Sequence, residues 1–313
     1  MNTHRRDLAR LEGQSLLTDG GLETTLIFLD GIELPEFASF TLLDSEAGRA
    51  RLERYYSDYA RLANRHGRGL LLEAPTWRAN RDWGARLGYD PEALARVNRE
   101  AIGLLAGIRD RHERAGEPML ISGCLGPRGD GYLAGAQMCA AEARDYHREQ
   151  IQVLARTEAD LVSAYTINYV AEAVGIVQAA EQAAIPVVIS FTVETDGRLP
   201  SGEALADAIV ATDAATGGAA AYYMINCAHP THFAHLLSDA GAWATRIRGI
   251  RANASCKSHA ELDASTELDI GDPADLGRRY AELVRRMPQL MVVGGCCGTD
   301  ERHIEAICRA TAA

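Results

Sequence analysis

Two adjacent cysteines, Cys296 and Cys297, sit in the run Val292-Val293-Gly294-Gly295-Cys296-Cys297-Gly298-Thr299, where an apolar stretch ends among glycines. A third, Cys227, follows Asn226 at the end of Ala221-Tyr222-Tyr223-Met224-Ile225. Thiols at such strand ends have three readings. They can be small buried apolar residues without a role. They can form a vicinal redox disulfide, although neighbouring Cα atoms about 3.8 Å apart fall below the usual disulfide range of about 4.4–6.8 Å. Or they can act as three thiolates around a soft ion such as Zn²⁺, with the fourth position left for substrate. Neighbouring strand residues point to opposite faces, so Cys296 and Cys297 reach one ion only where the strand breaks up, which Gly294, Gly295 and Gly298 permit.

The elements that must carry these residues alternate. Apolar runs of strand length are Ser15–Thr18, Gly69–Leu72 ending at Glu73, Met119–Ser122 ending at Gly123, Asp160–Ala164 with Tyr165 and Thr166 at its end, Pro186–Phe191, Ala221–Cys227, Ile247–Asn253 and Leu290–Gly295. In Pro186–Phe191 the β-branched residues without polar alternation mark a strand buried on both faces, and Ile247–Asn253 is the weakest of the eight. Between them the spacing predicts helices. One starts at Asp44 or Ser45 with Leu52, Tyr56, Tyr59 and Ala63 on one face and Gly67 as a stop. Another opens with Asp90 as N-cap and Pro91 as first residue and stops at Gly116. Further helices are expected over 141–157, 170–183, 204–215, after Pro230, from Asp272-Pro273 and over 300–310.

Eight strands each followed by a helix predict a single α/β domain over residues 1–313, a (β/α)₈ TIM-type barrel with its site at the carboxyl ends of the strands. A doubly wound open sheet is the rival. It lacks support because no Gly-x-Gly-x-x-Gly turn follows the first strand. Cys227 and the Cys296-Cys297 pair can converge over such a barrel mouth.

The chain of 313 residues, 47% hydrophobic, is long enough for that core, and its formal net charge of −11 argues against nucleic acid or an anionic membrane as partner. Met1–Gln14 is polar with no apolar region of a signal peptide, and no run of about 18 apolar residues occurs, so a cytoplasmic protein is expected. Seven cysteines are an odd number for a disulfide framework. Cys124, Cys139, Cys256 and Cys308 are read as lone buried residues.

With Asp19-Gly20-Gly21, Gly126-Pro127, Asn226-Cys227 followed by Pro230, and Gly294-Gly295-Cys296-Cys297-Gly298-Thr299 assembled, the chain resembles the zinc-dependent homocysteine S-methyltransferases. These include the betaine- and S-methylmethionine-homocysteine methyltransferases and the homocysteine domain of cobalamin-dependent methionine synthase. The motifs run from Asp19 to Thr299. The resemblance implies a barrel, Zn²⁺ held by Cys227, Cys296 and Cys297, homocysteine sulfur as fourth ligand, and methyl transfer from a small donor. S-methylmethionine or S-adenosylmethionine is the preferred donor, because a chain ending at Ala313 leaves no room for a folate or cobalamin domain. Asp19, Gly20, Gly21, Glu73, Tyr165, Thr166 and Asn226 are the candidate substrate-binding residues. Expected partners are a small thiol and a methyl donor, with homo-oligomerisation left open. One position departs from the family: where a Glu after the fourth strand is expected to bind the homocysteine amino group, this chain has Tyr165. Either another acid, Glu73 or Glu194, takes that role or the acceptor is a different thiol. The alternatives to methyl transfer are a zinc-thiolate metal-handling protein and a Cys296-Cys297 redox protein.

Overall fold

In the computed structural model, which describes residues 14–237 and 241–312, eight parallel strands close into one barrel in sequence order. They are β1 (Leu16–Leu17), β2 (Gly69–Glu73), β3 (Met119–Leu125), β4 (Leu161–Ile167), β5 (Val187–Phe191), β6 (Tyr222–Asn226), β7 (Ile247–Ala252) and β8 (Val292–Gly295). The ring closes where Leu16 and Leu17 of β1 lie opposite Val292 and Val293 of β8. The helices that follow the successive strands are α1 (Glu46–Arg65), α2 (Pro91–His112), α3 (Ala140–Ala155), α4 (Val170–Gln182), α5 (Leu205–Thr216), α6 (Pro230–Phe233), α7 (Pro273–Arg286) and α8 (Glu301–Ala310). Among the described residues no helix is long and apolar enough to cross a membrane.

The strands lack polar alternation because each face meets a different apolar layer. Leu16, Leu71, Leu120, Leu161, Val188, Tyr222, Met224 and Val292 pack together inside the barrel. Their neighbours in sequence, among them Leu17, Leu70, Ile121, Val162, Ile189, Ile225 and Val293, belong to the shell shared with the helices. The helix starts follow from local chemistry: Ser45, Asp90 and Asp272 each accept a backbone N–H from the first turn of α1, α2 and α7.

The structure revises several boundaries. β3 runs on past Gly123 to Leu125, and an added Cβ at Gly123 would stand 2.7 Å from a Leu154 methyl, so close packing against α3, not termination, needs glycine there. Tyr165 and Thr166 lie inside β4, not beyond it. β8 begins at Val292. Of the four cysteines read as buried, Cys124 and Cys308 are; Cys139 and Cys256 are exposed, on a helix N-cap and a loop that periodicity did not resolve. Short helices Arg81–Arg86 and His259–Asp263 fall in stretches too brief to show a helical period. The polar leader, Gln14 apart, lies outside the described residues.

One buried hydroxyl ties the strands nearest the cysteines. Tyr280 on α7 donates to the Gly294 carbonyl (2.5 Å) and accepts from the Ala252 N–H (2.9 Å), joining β7 to β8. Tyr280→Phe leaves that N–H without its partner. It should lower the free energy of unfolding by ~1–3 kcal/mol, seen as a reduced urea midpoint at unchanged slope.

Candidate active site at the barrel mouth

Cys227 is the residue after β6 and adopts φ +53. That left-handed conformation is uncommon for a residue with a Cβ, and it is held by a dense set of bonds. The Cys227 N–H donates to the Arg251 carbonyl (3.1 Å), and its own carbonyl accepts from Asn253 Nδ2 (2.9 Å) and His259 Nε2 (2.6 Å). Cys296 follows β8. Its N–H donates to the Ala252 carbonyl (2.8 Å), and its carbonyl accepts the Thr299 hydroxyl (2.7 Å). Gly298 at φ +77 completes the turn that breaks the strand, so Cys296 and Cys297 serve one centre. The sulfurs of Cys227, Cys296 and Cys297 all lie within 4.8 Å of one another, as three ligands to one ion require. Cys227 Sγ stands 3.9 Å from Cys297 Sγ and is in direct contact with Cys296 Sγ. The sulfur–sulfur contact is therefore between strands, Cys227 with Cys296, and not the vicinal one weighed for Cys296-Cys297.

Asn226 orients the rim. Its Oδ1 accepts from the Thr166 N–H (2.9 Å) and the Ser190 hydroxyl (2.7 Å), and its Nδ2 faces Cys296 Sγ at 4.0 Å. Thr166 sits at φ +60 where the β4–β5 register shifts, which brings its N–H within reach of Asn226. Gly21 has an ordinary φ of −78, and what Gly20 and Gly21 both need is space. A Cβ on Gly20 would lie 2.7 Å from the Thr299 carbonyl oxygen, and one on Gly21 2.6 Å from that of Cys296.

Beneath the thiols lies a charged layer. Arg251 on β7, 8% exposed, donates to Asp19 Oδ1 (2.7 Å), to the Gly20 carbonyl (3.1 Å) and, through Nε, to the Gly295 carbonyl (2.9 Å). Burial pushes the Asp19 carboxyl above its usual range, and the guanidinium pulls it part of the way back. Glu73, 4% exposed, accepts the Tyr165 hydroxyl at 2.5 Å. Burial raises its pKa to about 7 against the opposing pull of Arg251 and the Tyr165 hydrogen bond. The Ser122 hydroxyl softens that shift but hydrogen-bonds Ser163 Oγ (2.8 Å), not Glu73. Of the two acids named as replacements for the family's Glu, Glu73 is the one that meets Tyr165; Glu194 bonds His259 Nδ1 (3.0 Å).

Three groups at the mouth escaped the sequence reading. Arg251 carried a visible signal, a charge within a strand buried on both faces. Tyr132, whose hydroxyl lies 3.6 Å from Cys297 Sγ, and His259, stacked on Tyr132 with centroids 4.1 Å apart, come from loops with no pattern to mark them. Desolvation pushes the Cys297 thiol up, so this environment alone does not ionise it.

The raised Glu73 pKa has a consequence for stability. Between the unfolded value near 4.5 and the folded value of about 7, the native state binds more protons than the unfolded one, so stability falls as pH rises through this window. Glu73→Gln removes this pH dependence. The stability difference, variant minus wild type, should grow from pH 4.5 to pH 7.5 by up to ~3 kcal/mol in chemical denaturation.

Comparison with known proteins fits this geometry. A family model described as homocysteine S-methyltransferase matches residues 16–311. Homocysteine S-methyltransferase 1 of Zea mays is 25% identical over 189 residues, 55% of this chain and 53% of that protein, so the match spans about half the length of this curated relative. The metallated form of the homocysteine methyltransferase MmuM from Escherichia coli superposes with a TM-score of 0.73 at 18% identity, covering 96% of this chain and 98% of that one. Its oxidised form gives 0.73 at 20% identity over 95% and 96%. At these identities the two structures attest the fold.

Proposed function

The chain belongs to the homocysteine S-methyltransferase family, and from that premise we propose that it is a zinc-dependent thiol S-methyltransferase, moving a methyl group from a small sulfonium donor to homocysteine or a related thiol. The observation that carries this reading is the clustering of three sulfurs from two strand ends within 4.8 Å. Soft thiolate donors in this number suit Zn²⁺ with one position open. Cys227, Cys296 and Cys297 would hold the ion; when bound, it supplies a deprotonated acceptor sulfur at neutral pH, worth ~30-fold over a free thiol of pKa near 8.5.

That gain, about 2 kcal/mol, is a small part of a methyl-transfer barrier. The larger share falls to alignment of sulfur, methyl carbon and leaving group, an effect that reaches about 7–11 kcal/mol in well-oriented systems. The rigid rim supports such alignment. Asn226 fixes Thr166 and faces Cys296, and His259 and Asn253 hold the Cys227 carbonyl. Arg251 and Asp19 fix the mouth from below.

The contact between Cys227 and Cys296 sulfurs supports a second reading, in which these two thiols form a disulfide. A disulfide consumes two of the three ligands, so the two states exclude each other.

Reduced protein purified without chelator should carry about one zinc per chain, a content lost in Cys227→Ala, Cys296→Ala and Cys297→Ala and kept in Cys139→Ala. Retention of zinc in all three single variants would remove the ligand assignment. Zinc-loaded protein offered homocysteine with S-methylmethionine, S-adenosylmethionine or betaine should form methionine from a sulfonium donor, read by mass spectrometry. A fully loaded protein that methylates no thiol from any of them contradicts the reading.

A further inference from the structure

Charge within the mouth does not balance among the chain's own groups. Arg251 is the cation of the layer, and three acceptors already hold it: Asp19 Oδ1, the Gly20 carbonyl and the Gly295 carbonyl. Glu73 is the second buried carboxyl there, and no cationic nitrogen of the described residues lies within 4.0 Å of it. Its Oε1 accepts the Tyr165 hydroxyl, while its Oε2 is buried without any hydrogen-bond partner. A buried polar atom left unpaired is destabilising, more so when charged, so this arrangement calls for a group that completes it.

Glu73 ends β2 with its side chain on the same face as Leu71, inside the barrel. Tyr165 and Trp77 pack in the same inner cluster, and the Trp77 indole N–H donates to the Tyr165 carbonyl at 3.4 Å. Their ring faces are already taken, Tyr165 by the Arg251 guanidinium (5.0 Å) and Trp77 by that of Arg78 (3.9 Å), so what this cluster leaves open is Glu73 Oε2. Tyr165 is adjacent in sequence to Thr166, whose N–H is bound by Asn226, and Asn226 faces Cys296. The carboxyl is thus linked to the thiol centre through three residues, Tyr165, Thr166 and Asn226.

We propose that Glu73, positioned by the hydroxyl of Tyr165, is the receptor for the ammonium group of an amino-acid thiol whose sulfur lies at Cys227, Cys296 and Cys297. The acceptor would then be recognised at two ends, sulfur by the thiol centre and ammonium by a carboxylate delivered from β2. Tyr165 acts through Glu73. Its hydroxyl occupies one carboxylate oxygen and leaves the other directed to the ligand. The choice of an amino thiol as the ligand rests on the methyl-transfer reading.

The test compares two probes that differ in the ammonium alone, L-homocysteine and 4-mercaptobutanoate, which is homocysteine with its α-amino group replaced by hydrogen, titrated calorimetrically into zinc-loaded full-length protein. Wild type should bind homocysteine ~10-fold or more tightly than the deaminated thiol, because a site built for a charged donor is left unpaired by the analogue. Glu73→Gln keeps the shape and removes the charge; it should collapse the preference to less than about threefold with zinc content unaltered. Tyr165→Phe, which preserves the ring, should reduce the preference by a smaller factor. A preference that survives intact in Glu73→Gln overturns the assignment, as does a wild type that does not distinguish the probes, since Glu73 is then a neutral structural acid. Methyl transfer measured in parallel separates the two claims. Discrimination lost in Glu73→Gln, in a protein that methylates neither thiol, upholds the receptor and rejects the transferase. Turnover of both thiols with no discrimination upholds the transferase and rejects the receptor.

Discussion

A single buried ion pair organises this barrel mouth. Arg251 reaches from β7 to Asp19 after β1 and, with the rest of its donors, holds the carbonyls of Gly20 and Gly295. These are the backbone segments against which Cys296 is pressed: Gly295 precedes it, and Gly21 lies against its carbonyl. A guanidinium with fixed planar donors can gather three acceptors from two strand ends in one geometry, which an ammonium cannot. Buried pairs of this kind add little net stability over apolar packing, yet removing one partner leaves an uncompensated charge. Here the pair's service is positional. It fixes the seam between β8 and β1, and the cysteines inherit that rigidity.

The thiols are brought together by one uncommon backbone and one glycine turn. Cys227 at φ +53 is a departure that an isolated chain would relax, and His259 and Asn253 hold it through its carbonyl. Gly298 at φ +77 uses a freedom that only glycine has at no cost, while Thr299 holds the Cys296 carbonyl. Desolvation opposes ionisation of Cys297, so a cluster that places this thiol beside two others makes chemical sense when a metal supplies the missing positive charge.

Much of the fold was legible in the chain because a parallel barrel writes itself plainly. Strands with both faces buried appear as unbroken apolar runs, and Ser45, Asp90 and Asp272 announce their helices through capping chemistry that needs no tertiary partner. The cysteines stood out because few residue types can serve a soft metal. What stayed hidden depends on contacts across the barrel. Nothing in the spacing of Glu73 and Tyr165 reveals that they meet at 2.5 Å, and Tyr132 and His259 reach the thiols from loops whose path only packing decides. Gly123 was visible but not its purpose: it serves close approach to Leu154, which sequence cannot tell from a strand end.

The central claim is that the three cysteines form one metal centre with a position kept for a thiol. X-ray absorption at the zinc edge of the reduced protein tests it directly. The account predicts three sulfur scatterers at about 2.3 Å from zinc in the protein alone, rising to four when homocysteine is added. Fewer than three sulfurs, or a coordination shell that homocysteine leaves unchanged, would contradict it.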